Sequence, residues 1–417
     1  MTERRIYIVG AGVSGLVAAI ELEKAGYSPV ILEASDHIGG RIRTLTKDAY
    51  LLDVGFQVLL TSYPEAQLYL NYETLRLRKF QPGAVVFKPG DTFAIYDPLR
   101  NPFKLLNMAF SKVGTIFDKY RMFTLTKELK EKQLEAIFLE PEITTLQYLK
   151  IRGFSDKIIK YFFKPFFKGI FLEPYLETSS RMFEFVFKMF ATGHAAIPEN
   201  GMGQIPKQLA ANLTQTTFRL NTKVTSIEKN VIRLESGDTL TADEIILTVP
   251  PHGILPNYTG APVTYRKVTN MYFTLQKSFM ARPMIGLVPD EKYLINNLLF
   301  LTDVSKEYAK DGRALLSVSI IKDVSNETNL VSQVALELET LSGILAEHFK
   351  HIETIQVDKA LPVLNNIKYV LPAHHQQWND HLFLAGDHLL NASINGAMAA
   401  GRKAAAALLS NLHQHPV

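Results

Sequence analysis

The run Gly10-Ala11-Gly12-Val13-Ser14-Gly15 limits what this chain can fold into more than any other feature, because of what flanks it. Residues 4–9 are apolar and β-branched, residues 13–25 are rich in Leu, Ala and Glu, and residues 29–32 are apolar again and close on Glu33. Strand, glycine turn, helix and second strand in that order predict a βαβ unit. In such a unit Gly10 permits the tight turn, Gly12 lets main chain approach a pyrophosphate, and Gly15 lets helix and strand pack closely. The amides of Val13 and Ser14 face the diphosphate, where the helix dipole favours negative charge. Glu33, 18 positions beyond Gly15, is placed to accept hydrogen bonds from the adenosine ribose hydroxyls, and its carboxylate repels a 2′-phosphate. The unit therefore predicts a dinucleotide other than NADP. It does not separate FAD from NAD.

Two further segments carry the same texture. Residues 222–250 read as a hairpin, a Ser236-Gly237-Asp238 turn and a buried strand over 244–249 that stops at Pro250-Pro251. Residues 381–410 read as a strand over 382–385, a Gly386-Asp387 exit and a helix from about 393 to 409. Between them, residues 90–190 are helical and aromatic, and 262–370 alternate strands such as 314–320 with a helix near 331–348. This interleaving predicts an α/β chain: a Rossmann-like dinucleotide-binding domain in three pieces (1–88, 196–261, 371–417). An α+β substrate domain is inserted twice, helical over 89–195 and strands plus helix over 262–370.

Composition removes other classes. With 417 residues, 47% of them hydrophobic, the chain buries a large core. Its 45 Lys+Arg against 41 Asp+Glu leave a net charge of +4 spread along the sequence, which argues against a nucleic-acid binder. Zero cysteines exclude disulfides, thiolate metal sites, a cysteine nucleophile and a cysteinyl bond to a cofactor. His374, His375, His381 and His388 form no metal-ligand pattern, so no metal is expected. The N-terminus carries no secretory pattern. The longest stretch without Asp, Glu, Lys or Arg, residues 245–265, holds four prolines and cannot span a bilayer. A cytoplasmic protein is the expectation.

The continuation of the first unit separates FAD from NAD. Residues 33–44, Glu33-Ala34-Ser35-Asp36-His37-Ile38-Gly39-Gly40-Arg41-Ile42-Arg43-Thr44, resemble the second signature of the flavin-containing amine oxidase superfamily. That group includes monoamine oxidases, protoporphyrinogen oxidases and carotenoid (phytoene-type) desaturases. The resemblance implies a non-covalent FAD, with Ala34 and Gly40 among its contacts and Arg41 approaching its phosphate or ribose. Asp53-Val54-Gly55-Phe56-Gln57 is similar to the family's next step, where Gly55, Phe56 and Gln57 pass beside the isoalloxazine ring. Leu384-Ala385-Gly386-Asp387 and the block from Ser393 to Arg402 are similar to its C-terminal part. There Gly386 and Asp387 meet the ribityl or diphosphate region, and Ile394 and Ala397 bring amides to the pyrimidine end of the flavin. Val224 matches the position whose main chain pairs with adenine. A second fingerprint is missing, since Gly201-Met202-Gly203-Gln204-Ile205-Pro206 has proline where the third glycine belongs. Electrons are thus expected to leave to oxygen, a quinone or another acceptor.

Residues 158–203 look more like the phytoene desaturase and protoporphyrinogen oxidase side of the superfamily. Nine of the 25 phenylalanines fall between Phe162 and Phe190. They either line a deep pocket for a polyene, an isoprenoid or a tetrapyrrole, or pack as the core of a helical domain. Phe183, Val186, Phe187 and Phe190 keep helical spacing, which favours core. Lys160, Lys164 and Lys168 form either a solvated helix face or a basic edge for peripheral contact with an anionic membrane. No catalytic side chain is assigned: Lys267 and His194 are weak candidates for a lysine near flavin N5 and for a base. The leading expectation is an FAD-dependent oxidoreductase dehydrogenating an apolar small molecule. A flavin amine oxidase and a non-catalytic flavin or lipid-binding protein are the alternatives.

Overall fold

The computed structural model describes residues 4–55, 58–88, 90–96, 114–372 and 376–414. Its first sheet has six strands in the order Thr217–Arg219, Val30–Leu32, Ile6–Val9, Glu244–Leu247, Leu382–Leu384 and Gln377–Asn379. The first five are parallel and the last is antiparallel. Strands from three distant stretches of chain thus share one doubly covered sheet, as the interleaved pattern predicts. Their side chains divide by alternation. Ile6, Ile8, Ile31, Ile246 and Phe383 face a helical layer, whereas Val9, Leu32, Ile245, Leu247 and Leu384 face a small three-stranded sheet. Such strands need apolar residues at every position, which is why they read as continuous apolar runs.

The helical layer consists of the first helix, Val13–Lys24, and the long C-terminal helix, Ile394–Gln414. Two glycines set how close it comes. A Cβ at Gly15 would stand 2.1 Å from the Gly10 carbonyl oxygen, and one at Gly401 would stand 2.1 Å from that of Ser14. The first contact seats the helix on its own turn, and the second seats the C-terminal helix on the first.

The second sheet has seven strands, ordered Lys350–Pro362, Tyr265–Leu275, Ala314–Ile320, Ile295–Phe300, Ile285–Leu287, Gly83–Val86 and Phe93–Tyr96. One face packs on the helix Leu330–Ser342 through Phe273, Leu298, Leu316, Val334 and Leu338. The other looks toward a helical segment that includes Ile116–Glu131, Lys164–Phe171 and Ser180–Thr192. Phe163, Phe167, Phe183 and Phe185 are fully buried there, with Phe167 and Phe183 ring centroids 4.8 Å apart. Most of the phenylalanine-rich stretch is therefore core, in line with its helical spacing. Lys164 pairs with Glu291, Lys168 is half-buried and Lys160 is exposed, so the three lysines do not present a uniform basic edge. Among the described residues no helix is long and apolar enough to cross a membrane.

One buried charge is poorly served. Glu244 begins a central strand, is 3% exposed, and lies 3.8 Å from Arg4, while its Oε2 has no partner. Burial pushes its pKa up to about 7; Arg4 opposes this, and Asp243 and Asp380 reinforce it. Because the folded pKa lies above the ordinary carboxyl value, the penalty is absent below that value and complete above pH 7. Glu244→Gln should stabilise the protein by about 2 kcal/mol at pH 8 and by almost nothing at pH 4.5, as read from denaturant midpoints at the two pH values.

Candidate active site

A cavity of about 960 Å³ opens at the carboxyl ends of the parallel strands. Its wall contains the residues that follow four of them: Gly10, Glu33, Thr248 and Gly386. Open α/β sheets bind ligands at that edge. Of the residues singled out in the sequence, Gly10, Gly12, Val13, Ser14, Glu33, Gly40, Arg41, Gly55, Gly386, Asp387, Ile394 and Ala397 meet on this wall. Gly15 lies beneath it, Ala34 is exposed beside it, and Val224 is buried with Val9 and Leu32 and is not part of it. Phe56 and Gln57, like His374 and His375, fall outside the described residues.

The glycine turn is shaped for an anion. Gly10 has φ +105°, which strongly favours glycine, and a Cβ at Gly12 would meet nothing within 4 Å. The first helix begins at Gly12 with no side-chain cap, and the buried Ser14 hydroxyl has no partner. Free amides, an uncapped helix start and an orphaned hydroxyl on a cavity wall match the needs of a diphosphate. The second glycine turn docks here: Gly39 donates to the Ala11 carbonyl at 2.8 Å, and a Cβ at Gly40 would stand 3.4 Å from Gly12 Cα. Glu33 braces both turns. Its Oε2 accepts from the Ala11 amide at 2.7 Å, and its Oε1 accepts from the amide and hydroxyl of Ser35. Each oxygen keeps acceptor capacity for a further donor.

Across the cavity, the start of the C-terminal helix presents Ile394 and Ala397. Two helix amino ends thus converge on one space. Arg41 and Asp387 bridge their neighbourhoods with an ion pair of 2.5 Å, a pairing that the sequence reading did not foresee. Burial opposes the Arg41 charge, but Asp387 outweighs it and holds the guanidinium pKa above its usual value. His388, also on the wall, has a buried Nε2 without a partner; burial lowers its pKa, opposed by Asp387 and reinforced by Arg41. No motif pointed to it.

Asp53 anchors the segment that carries Gly55. Its Oδ1 accepts from the Thr44 hydroxyl and the Met202 amide, its Oδ2 accepts from the Tyr308 hydroxyl at 2.7 Å, and its carbonyl accepts from Tyr272. Burial nevertheless raises its pKa. Further along, the wall turns apolar at Ile170, Leu172, Met182, Val186 and Phe190, and carries Glu142, Glu177, Arg266 and Lys359 as charged members. Phe171 and Phe190 are the members of the phenylalanine cluster that reach it. Arg266 is held by the Phe171 carbonyl and the Thr178 hydroxyl, and burial lowers its pKa. These residues come from two helices, two strands and the loops beside them, separated by more than two hundred positions, a convergence without any local signature. Lys267 is exposed and paired with Asp358 at 3.2 Å, and neither it nor His194 is on the wall. No group of three metal-ligating side chains occurs among the described residues.

This architecture is shared with known flavoproteins. Residues 13–409 match the family model for flavin containing amine oxidoreductases. The chain belongs to that family. Its cofactor is accordingly FAD. It is 25% identical to protoporphyrinogen oxidase 2 of Arabidopsis thaliana over 40% of this chain and 32% of that one. It is 22% identical to 4,4'-diapolycopene oxygenase of a Methylomonas species over 58% and 55%. In both cases it spans less than two thirds of the relative's length. The fold resembles that of cyclohexylamine oxidase from Brevibacterium oxydans, with a TM-score of 0.69, 17% identity, and 99% of this chain and 100% of that one covered.

The convergence of the two helix ends depends on close main-chain packing behind the wall. Gly401→Ala should therefore cost about 1–3 kcal/mol by overpacking against the Ser14 carbonyl, and should lower FAD content by parting the helices. Chemical denaturation and the flavin-to-protein absorbance ratio check both effects.

Proposed function

We propose that this protein dehydrogenates an apolar small molecule of isoprenoid, carotenoid or tetrapyrrole type, and that its electrons pass to oxygen or a quinone. The observation that carries the reading is the apolar end of the cavity wall, formed by Ile170, Leu172, Met182, Val186 and Phe190. Bound FAD supplies the hydride acceptor at N5. The protein's share is to bind, orient and keep water out. In this reading the Val13 and Ser14 amides hold the diphosphate and Glu33 holds the adenosine ribose. Val224 and Ala34 lie on the adenosine side, with Arg41 and Asp387 beside the phosphate and ribityl chain. The main chain at Gly55 runs along the ring, and amides near Ile394 and Ala397 approach its pyrimidine end, where a helix dipole favours negative charge. The Arabidopsis and Methylomonas relatives are named for a porphyrinogen and a polyene, which agrees with an apolar substrate. We also propose the division into three cofactor-domain pieces and two substrate-domain pieces described above, with the strand Gly83–Val86 counted in the substrate domain because it pairs within the second sheet, and peripheral membrane contact as the route by which a lipophilic substrate enters.

A second reading, oxidation of an amine, draws support from Glu142 and Glu177, which place carboxylates on the wall where a cation would be attracted. Anaerobic titration of the yellow protein separates the two. Protoporphyrinogen or a phytoene-type polyene should bleach the flavin band, and spermine should not. Bleaching by spermine alone would establish the amine reading. A flavin that dithionite reduces but none of these compounds does would indicate a binding protein without turnover.

The residue roles have their own test. Glu33→Ala and Arg41→Ala should each weaken FAD retention about ten- to a hundredfold, the scale of lost hydrogen bonds to charged groups. Flavin content after gel filtration measures this, and unchanged content in both variants would remove the assignment.

A further inference from the structure

The strand Ile295–Phe300 departs from regular pairing. Ile295 pairs with Ile320 while Asn297 pairs with Ser319, so one residue, Asn296, is bulged out of the ladder. Ile295 and Leu298 consequently both point into the core beneath the helix Leu330–Ser342 although they are three residues apart. Asn296 and Asn297 are left to the opposite side of the sheet. They are 0% and 2% exposed. Both amide atoms of Asn296 and the Oδ1 of Asn297 have no hydrogen-bond partner in the protein.

The two amides meet at Gly169. A Cβ on Gly169 would stand 2.5 Å from Asn297 Nδ2 and 3.0 Å from Asn296 Nδ2, and Gly169 itself is part of the cavity wall. Ser319, the cross-strand partner of Asn297, is on the wall as well. Its hydroxyl donates to Asn270 Oδ1 at 2.8 Å and so is already committed as a donor. A residue with any side chain at position 169 would cover the amides. Orphaned buried amides are costly, and close-packed sheets rarely keep three such atoms in one place.

We propose that this end of the cavity recognises a hydroxyl group on the substrate, read by the amides of Asn296 and Asn297 that pack against Gly169 of the wall. Resting on the reading of the cavity as a site for an apolar substrate, the inference narrows that substrate to one with an oxygenated end. A hydroxyl both donates and accepts, and the unmatched atoms include both a donor and acceptors. A bare hydrocarbon leaves them unmatched, and sites built around a hydrogen bond discriminate strongly against ligands that lack the group.

The test uses the FAD-loaded full chain, titrated with farnesol and with farnesene, the hydrocarbon of the same skeleton, by perturbation of the flavin spectrum. Farnesol should bind about ten- to a hundredfold more tightly. Asn297→Leu should abolish that preference, Asn297→Ser should keep part of it, and Asn297→Leu should raise Tm because an unsatisfied amide is replaced by an apolar group. Equal binding of the two compounds to the parent protein would overturn the inference while leaving the apolar reading intact, since the amides then hold only water. A fall in Tm for both variants would overturn it independently, by showing that the amides serve the fold. Binding of neither compound, with bleaching by spermine, would instead remove the apolar reading on which it rests.

Discussion

The structure hangs on a contact between two pieces of main chain, the approach of Gly15 to the carbonyl of Gly10. With no side chain at either position, the first helix sits directly on the turn that precedes it, and its uncapped amino end is aimed across the edge of the sheet. Gly401 repeats the device one layer out, letting the C-terminal helix rest on the carbonyl of Ser14. Main chain packed this closely leaves little room for adjustment, since interiors are as dense as molecular crystals. The geometry of the cavity is therefore fixed by glycines that mostly do not line it.

The same constraint explains the electrostatics. Two helices whose first turns reach one cavity concentrate positive partial charge there. Arg41 adds a full cation, and Asp387 takes it up in an ion pair rather than leaving it bare. Glu33, whose oxygens already hold the Ala11 and Ser35 amides, brings a carboxylate up against the same glycine turn. The result is a polar wall with an internal order: amides first, then an ion pair, then His388. Beyond it the wall becomes apolar and belongs to other parts of the chain.

How much of this was legible in the sequence follows from how far each signal reaches along it. The βαβ unit, the hairpin and the strand over 314–320 were readable because apolar periodicity and glycine turns are local, and their bounds agree with the observed elements to within a few residues. The meeting of the glycine-turn residues on one cavity wall was readable because they sit at turns where few residue types fit. Gly15 shows the limit of that logic: it belongs to the fingerprint yet acts from beneath the wall. The pairing of Arg41 with Asp387, the burial of Asp53 among Thr44, Met202 and Tyr308, and the place of His388 were not readable. Each joins residues brought together only by the closed sheet, and none departs from ordinary composition in its own neighbourhood.

The substrate end is illegible for a different reason. Its apolar members use the same residue types and the same spacing as the core around them, so Phe190 on the wall and Phe183 in the core read alike. What distinguishes a binding surface from a core in such a region is a break in the pattern rather than the pattern itself. The two consecutive asparagines in the strand Ile295–Phe300 are such a break. In an alternating strand one of them would be expected to face the apolar cluster beneath the helix Leu330–Ser342, and the bulge avoids this by turning both to the other side. A strand that shifts its register in order to keep two amides together has given up ladder regularity for their placement, and that placement is beside the cavity wall rather than in the middle of the core.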